Sequence, residues 1–201
     1  MSETLTRLSP LSEFQATAAK ISVPATAGVR LAERPFLGHL NLRGNAENPA
    51  FVDNVQRCLG ISLALRPNTL SASETVSTLW LGPDEWLLIA QNSKEGELAH
   101  ALRAALCGQH AAVTDITDGQ AVLCLSGPNA LDVIQRGCPL DLHPRTFRPG
   151  SCAQTHIAKA PVLIWRADDL SCYYFVVRRS FADYFALWLQ DAASDYGFQM
   201  V

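Results

Sequence analysis

Two stretches of this chain read almost alike. Leu40-Asn-Leu-Arg-Gly44 leads into Val55-Gln-Arg-Cys-Leu-Gly60, and Leu123-Cys-Leu-Ser-Gly127 leads into Ile134-Gln-Arg-Gly-Cys-Pro139. Leu40 and Leu123 stand 83 residues apart, Val55 and Ile134 stand 79 apart, and the segments that follow also correspond. Self-similarity at such a period means one supersecondary unit used twice. In 201 residues it leaves room for two halves of about 85 residues sharing one interior. The expected division is an extended arm over residues 1–27, a first half over 28–118 and a second half over 119–201.

Function classes fall away on charge. A net charge of -3 without Lys/Arg runs is unsuited to a phosphate track or an anionic membrane surface. Charged residues make up 17% of the chain, against roughly 25% in an average soluble domain. Of the 16 cationic side chains only three are Lys, at positions 20, 94 and 159. Covered interfaces favour the planar guanidinium and exclude the ammonium group, so part of the surface is expected to meet another protein; a GC-rich genome would skew the ratio the same way. The six cysteines are dispersed without a C-x-x-C pair, and no secretory or transit pattern opens the sequence, so they read as reduced core thiols in a cytoplasmic protein.

The local signals give the first half the order strand, helix, strand, strand, helix, strand, and the second half is read as a repeat of it. In the first half, a strand near Phe36 to Arg43 precedes a helix capped by Asn48 with Pro49 in its first turn. Gly82-Pro83-Asp84 turns a hairpin between Val76–Leu81 and Trp86–Ala90. A helix capped by Ser93 follows, with Glu95 and Glu97 at its positive end, stopped by Gly108 before a strand from Ala111 to Ile116. In the second half, Gln120 to Leu125 is a strand, and Pro128 opens a helix carrying Leu131 and Ile134 that Gly137 stops. Further strands are Gln154–Ile157, Val162–Trp165 and Cys172–Arg178, with Asp168-Asp169 at a hairpin turn. The last helix has a capping-box pattern, Ser180 with Asp183, and a stripe of Phe181, Tyr184, Phe185, Trp188, Leu189 and Ala192 that reads as core or as an aromatic ligand box. The predicted fold class is α+β, two similar β-α-β-β-α-β (ferredoxin-like) halves.

The sequence has no G-x-x-x-x-G-K-[ST], G-x-G-x-x-G or G-x-S-x-G, so it lacks the glycines of phosphate cradles, dinucleotide turns and nucleophile elbows. Cys138, His143, Cys152 and His156 have zinc-ligand chemistry without zinc-ligand spacing. Asp115 and Asp118 before Gly119 could serve as acid and base, or simply form the tight link between the halves. No partner can be named for His39, His100 or His110. The expected catalytic, cofactor and metal residues on this chain are therefore none. The loop His143-Pro-Arg-Thr-Phe-Arg-Pro-Gly150 sets Arg145, Phe147 and Arg148 between stiffening prolines, and Arg178-Arg179 precedes the last helix. These five are the candidate partner contacts, with an ordinary solvated loop as the alternative.

Several phrases are more specific: Leu79-Trp-Leu-Gly-Pro-Asp-Glu-Trp-Leu-Leu88, Val113-Thr-Asp-Ile-Thr-Asp-Gly-Gln120, Leu125-Ser-Gly-Pro-Asn-Ala130, Arg178-Arg-Ser180 and Trp188-Leu-Gln-Asp-Ala192. Over about residues 30 to 198 the chain resembles the gamma subunits of heterotetrameric sarcosine oxidases. The resemblance implies the folate-binding fold of the aminomethyltransferases, whose shared phrase is Leu125-Ser-Gly-Pro-Asn-Ala130. It also implies FAD, FMN, NAD and tetrahydrofolate on the alpha and beta chains and zinc on the delta chain, with none on this one. The related folate-dependent iron-sulfur maintenance factors carry K-G-C-Y-x-G-Q-E, of which Pro149-Gly-Ser-Cys-Ala-Gln-Thr-His156 keeps only a Gly, a Cys and a Gln. The expectation is a non-catalytic subunit, packed chiefly on the alpha subunit, of an enzyme that oxidises sarcosine to glycine. The rival readings are a folate or amino-acid sensor using the crevice between the halves, and an independent aminomethyltransferase.

Overall fold

The computed structural model describes residues 7–18, 27–91, 93–166 and 172–201. It is α+β, with two sheets. The elements run α1 (Ser12–Ala18), β1 (Val29–Glu33), β2 (Gly38–Arg43), α2 (Pro49–Leu59), β3 (Leu70–Ala72), β4 (Val76–Gly82), β5 (Glu85–Ala90), α3 (Glu95–Ala105), β6 (Ala112–Asp115), β7 (Gln120–Ser126), α4 (Ala130–Gln135), β8 (Cys152–Ile157), β9 (Ala160–Arg166), β10 (Cys172–Arg178), α5 (Ala182–Ala192) and β11 (Phe198–Met200).

One sheet has the order β3-β4-β5-β2-β6 and the other β11-β1-β7-β10-β9-β8. Replacing β2, β4, β5 and β6 by β7, β9, β10 and β11, and β3 by β8, turns the first order into the second except for β1. That strand lies between β7 and β11, antiparallel to the former and parallel to the latter. Residues expected in the first half thus belong to the second sheet. The reason is burial: Val29 and Leu31 are fully covered in the same cluster as Leu123 and Leu125.

Both sheets are covered on two faces, which explains the unbroken apolar runs of their central strands. On β5, Trp86 and Leu88 face α2 and α3 while Leu87 and Ile89 face the other sheet. On β7, Leu123 and Leu125 face α4 and α5 while Val122 meets Leu87 and Ile89 in the layer between sheets. Trp86 is fully buried, tilts against Phe51 at 5.8 Å and donates its indole N–H to Ala64 O at 2.7 Å.

The cap of α2 forms as its residues dictate. Asn48 accepts from Ala50 N at 3.0 Å, Pro49 opens the helix, and Gly60 closes it at φ +68°, where a Cβ would be strained. Ser93 does not cap α3. It sits at φ +54° and donates its hydroxyl to Phe36 O, leaving Glu95 and Glu97 to offset the helix N-terminus. Nor does Ser180 cap α5, because residues Arg179–Phe181 form a 3-10 turn that runs directly into the helix. The buried face of α5 is Ala182, Phe185, Ala186, Leu189 and Ala192; Tyr184 is exposed and accepts from Lys159 N at 3.3 Å. Alanines let the helix approach its sheet, and Trp188 lies over Gly137, where a Cβ would come within 2.5 Å of the ring.

The expected extended arm is helical over Ser12–Ala18, and Leu11 just before it is fully buried. Glu33 ties this segment down by accepting from Ser9 Oγ at 2.7 Å, Gln15 Nε2 at 3.2 Å and Leu11 N at 3.4 Å. The rest of the arm at 1–6 and 19–26, and the turn at Asp168-Asp169, lie outside the described residues.

Candidate functional site

At one end the two sheets part, opening a crevice of about 530 Å³. Its floor is apolar, with Leu87 from one sheet and Leu163 and Val176 from the other. Strand alternation then places a polar row at the mouth: His156 stands opposite Pro161, and Arg178 opposite Gln120. Asn41 and Glu85 line the opposite wall, already joined by a bond of 2.8 Å, and Arg43 adds a contact of 3.6 Å to Glu85. Gln154 reaches across to donate to Leu81 O at 2.8 Å. The Arg178 side chain is exposed and has no hydrogen bond or ion pair among the described residues. An apolar floor with a few polar groups converging at the rim is the usual form of a recognition site.

A second cavity, about 60 Å³, lies beneath Arg7, Leu8 and Pro10 and is lined by Glu33, His39, Thr117 and Arg179. His39 is 2% exposed; neither ring nitrogen makes a hydrogen bond of acceptable geometry among the described residues, and the Leu37 backbone exerts only a lesser pull in favour of the cation than burial does against it. Burial pushes the imidazole down to about 4, so it is neutral at physiological pH. Burial also raises the Glu33 carboxyl, against the pull of its Ser9 and Leu11 bonds. Nothing in the sequence marked His39, because a histidine in an apolar strand gives no sign of its depth.

The paired aspartates build a turn. Asp115 accepts from Thr117 N at 2.9 Å, and its bonds to Thr117 hold the carboxyl below its ordinary range. Thr117 Oγ1 in turn accepts from His39 N at 3.0 Å, tying the link between halves to β2. Cys138, His143, Cys152 and His156 are not brought together as a metal site, and no such group of three occurs among the described residues. Cys138 and Cys152 are buried, the latter donating to Thr69 O at 3.2 Å. His143 accepts from Arg145 N within its own loop. Not every thiol is in the core, since Cys107 is exposed and Cys58 half-buried.

One nominated contact residue has its side chain turned into the core. Phe147 is 7% exposed and packs in the core beneath α4 and α5, while its carbonyl accepts from Arg166 Nη1 at 3.2 Å. An aromatic between two arginines looked like a docking finger, yet it is what anchors the loop. Arg145 and Arg148 beside it are exposed, as are Arg178 and Arg179 beside the two cavities.

A similar architecture and a related sequence occur in known proteins. The model of the sarcosine oxidase gamma subunit family matches residues 43–195. A sarcosine oxidase subunit gamma from Corynebacterium sp. (strain P-1) is 35% identical over 199 residues, covering 98% of this chain and 95% of the relative. That from Corynebacterium sp. (strain U-96) is 34% identical, covering 94% and 91%. A chain of the heterotetrameric sarcosine oxidase from Corynebacterium sp. U-96, solved in complex with pyrrole 2-carboxylate, superposes at a TM-score of 0.85 with 31% identity, over 94% of this chain and 96% of that one. Aminomethyltransferase T of the Bartonella henselae glycine cleavage system superposes at 0.70 with 15% identity, over 96% of this chain and 58% of that one; this is a likeness of fold alone. With a matching family model across both sheets and relatives aligned over nearly its whole length, the chain belongs to the sarcosine oxidase gamma subunit family.

Proposed function

We propose that this chain is a non-catalytic gamma subunit of a heterotetrameric sarcosine oxidase, packed chiefly against the large alpha subunit in a cytoplasmic complex with beta and delta subunits. The complex oxidises sarcosine with dioxygen, delivers the methyl carbon to tetrahydrofolate, and releases glycine and hydrogen peroxide. The observation that carries this reading is the superposition, at 31% identity and over 94% of the chain, on a chain of a heterotetrameric enzyme of that kind. The low Lys content and the exposed Arg145, Arg148, Arg178 and Arg179 support a covered surface. The strand orders support two copies of one ferredoxin-like unit, a scaffold of the aminomethyltransferase folate-binding type.

FAD, FMN, NAD, tetrahydrofolate and zinc are assigned to the other subunits. The glycine of the Leu125-Ser-Gly-Pro-Asn-Ala130 phrase has a backbone role: a Cβ on Gly127 would meet the Gly28 carbonyl at 2.4 Å, so it serves the close approach of two backbone segments.

Co-expression with the alpha, beta and delta chains of its own source tests the reading. A stable complex with sarcosine-dependent peroxide formation is expected, and omission of this chain should cost assembly. Failure of the well-folded chain to enter any complex, or sarcosine turnover by the chain alone, refutes it.

A further inference from the structure

The edge strand β8 is paired on one side only, and half of its outer side is already taken. Leu70 N donates to Gly150 O and Cys152 N to Asn68 O, each at 3.0 Å, around an antiparallel bridge between Thr69 and Ser151. The chain thus adds a short extended piece of itself to this edge and then turns away at Pro67, where Thr69 Oγ1 closes onto Arg66 O.

Beyond that piece the edge is open. Cys152 N–H points away from β9, and strand alternation sends the N–H and C=O of Gln154 and His156 the same way. Pro161 opposite His156 fits this register, since the N–H it lacks would have pointed out of the ladder. Among the described residues no bond reaches either outward amide, and His156 O receives only a long bond of 3.4 Å from Thr155 Oγ1. Gln154 and His156 are both exposed and stand at the mouth of the 530 Å³ crevice.

The geometry points to the open edge of β8, together with the crevice, as the docking groove for an extended segment of a partner subunit, which continues the sheet past Gln154 and His156. This rests on the subunit reading above. Strand addition supplies the backbone bonds, and alternate side chains supply the specificity. The segment presents an apolar side chain to the Leu87, Leu163 and Val176 floor and a carboxylate to Arg178. Arg178 stands on β10, two strands in from β8, so its backbone is about 14 Å from that of an added strand. Arg and Glu side chains leaning toward each other over the sheet bring the two charges within range of attraction, and the guanidinium has no competing partner among the described residues.

Hydrogen exchange on the co-expressed assembly and on the isolated chain is the test. The amides of Gln154 and His156 exchange freely in the isolated chain and slow about tenfold or more in the assembly. Arg178→Glu weakens assembly about tenfold or more. His156→Pro, which removes an outward N–H and a side chain that makes no hydrogen bond among the described residues, does likewise, and both variants keep the circular dichroism and Tm of the unaltered chain. Assembly at full strength with these amides still fast refutes the groove and leaves the subunit reading standing. Failure of the unaltered, folded chain to assemble refutes the subunit reading itself. Protection of the amides in the isolated chain by tetrahydrofolate, unchanged on assembly, assigns the crevice to a small ligand and also overturns the proposal.

Discussion

Replacing His39 by Leu removes two buried nitrogens that make no hydrogen bond of acceptable geometry among the described residues and puts an apolar side chain of similar size in a 2% exposed position. Each unpaired buried polar group costs about 1–3 kcal/mol, so the substitution is expected to be neutral or stabilising near pH 7. Its clearest effect is on pH dependence. The imidazole titrates at about 4 in the fold against 6.5 ordinarily, because burial disfavours the cation. The unfolded chain therefore binds a proton that the folded chain refuses. Stability is full above pH 6.5 and is lost as pH falls toward 4, by about 3 kcal/mol over the whole window. Glu33, whose raised carboxyl lines the same cavity, works in the opposite direction and is common to both proteins. Asp115 is the carboxylate whose charge acts on His39; its bonds to Thr117, the larger cause of its lowered carboxyl, are kept in the variant, while the smaller pull of the imidazole is lost. Urea unfolding from pH 7.5 to 4.5 should give curves for wild type and His39→Leu that separate by about 2–3 kcal/mol at the acid end. Parallel curves, or a loss of about 2 kcal/mol or more at pH 7, would mean that the imidazole has a hydrogen-bond partner and that burial is not what governs it.

Trp86→Phe keeps the contact with Phe51 but loses part of the ring and orphans the Ala64 carbonyl, so a loss of about 3 kcal/mol is expected in the urea midpoint at constant slope. Assembly with partner subunits should be untouched, since the ring is fully buried. Glu33→Ala removes the acceptor of three bonds that hold Ser9, Leu11 and Gln15. Limited trypsin cleavage within residues 7–18 should accelerate about tenfold or more, and an unchanged rate would show that Leu11 burial alone docks the segment.

Much of the local structure was legible because it rests on short-range chemistry. Asn48 with Pro49, Gly60, and the Gly82-Pro83-Asp84 turn act through backbone geometry that neighbouring residues dictate, and the structure places each of them as read. The caps assigned to Ser93 and Ser180 failed for a different reason. A serine hydroxyl has several acceptors within reach, and Phe36 O won at one site while a 3-10 turn displaced the other. Tyr184 and Phe147 were misread because periodicity and composition report a side chain's polarity but not the direction of the surface it meets.

The sequence alone carried the repeated phrases, most of the longer strands and helices and the family resemblance, since these follow from local propensity and matching residues, whereas the strands β1, β3 and β11 and the helix α1 gave no local signal. Only the tertiary structure decided that β1 joins the second sheet, that His39 is sealed from solvent, and that the outer edge of β8 opens onto a crevice floored by both sheets. Those features depend on contacts between residues far apart in the chain, where burial and free hydrogen-bonding capacity are settled by what packs alongside.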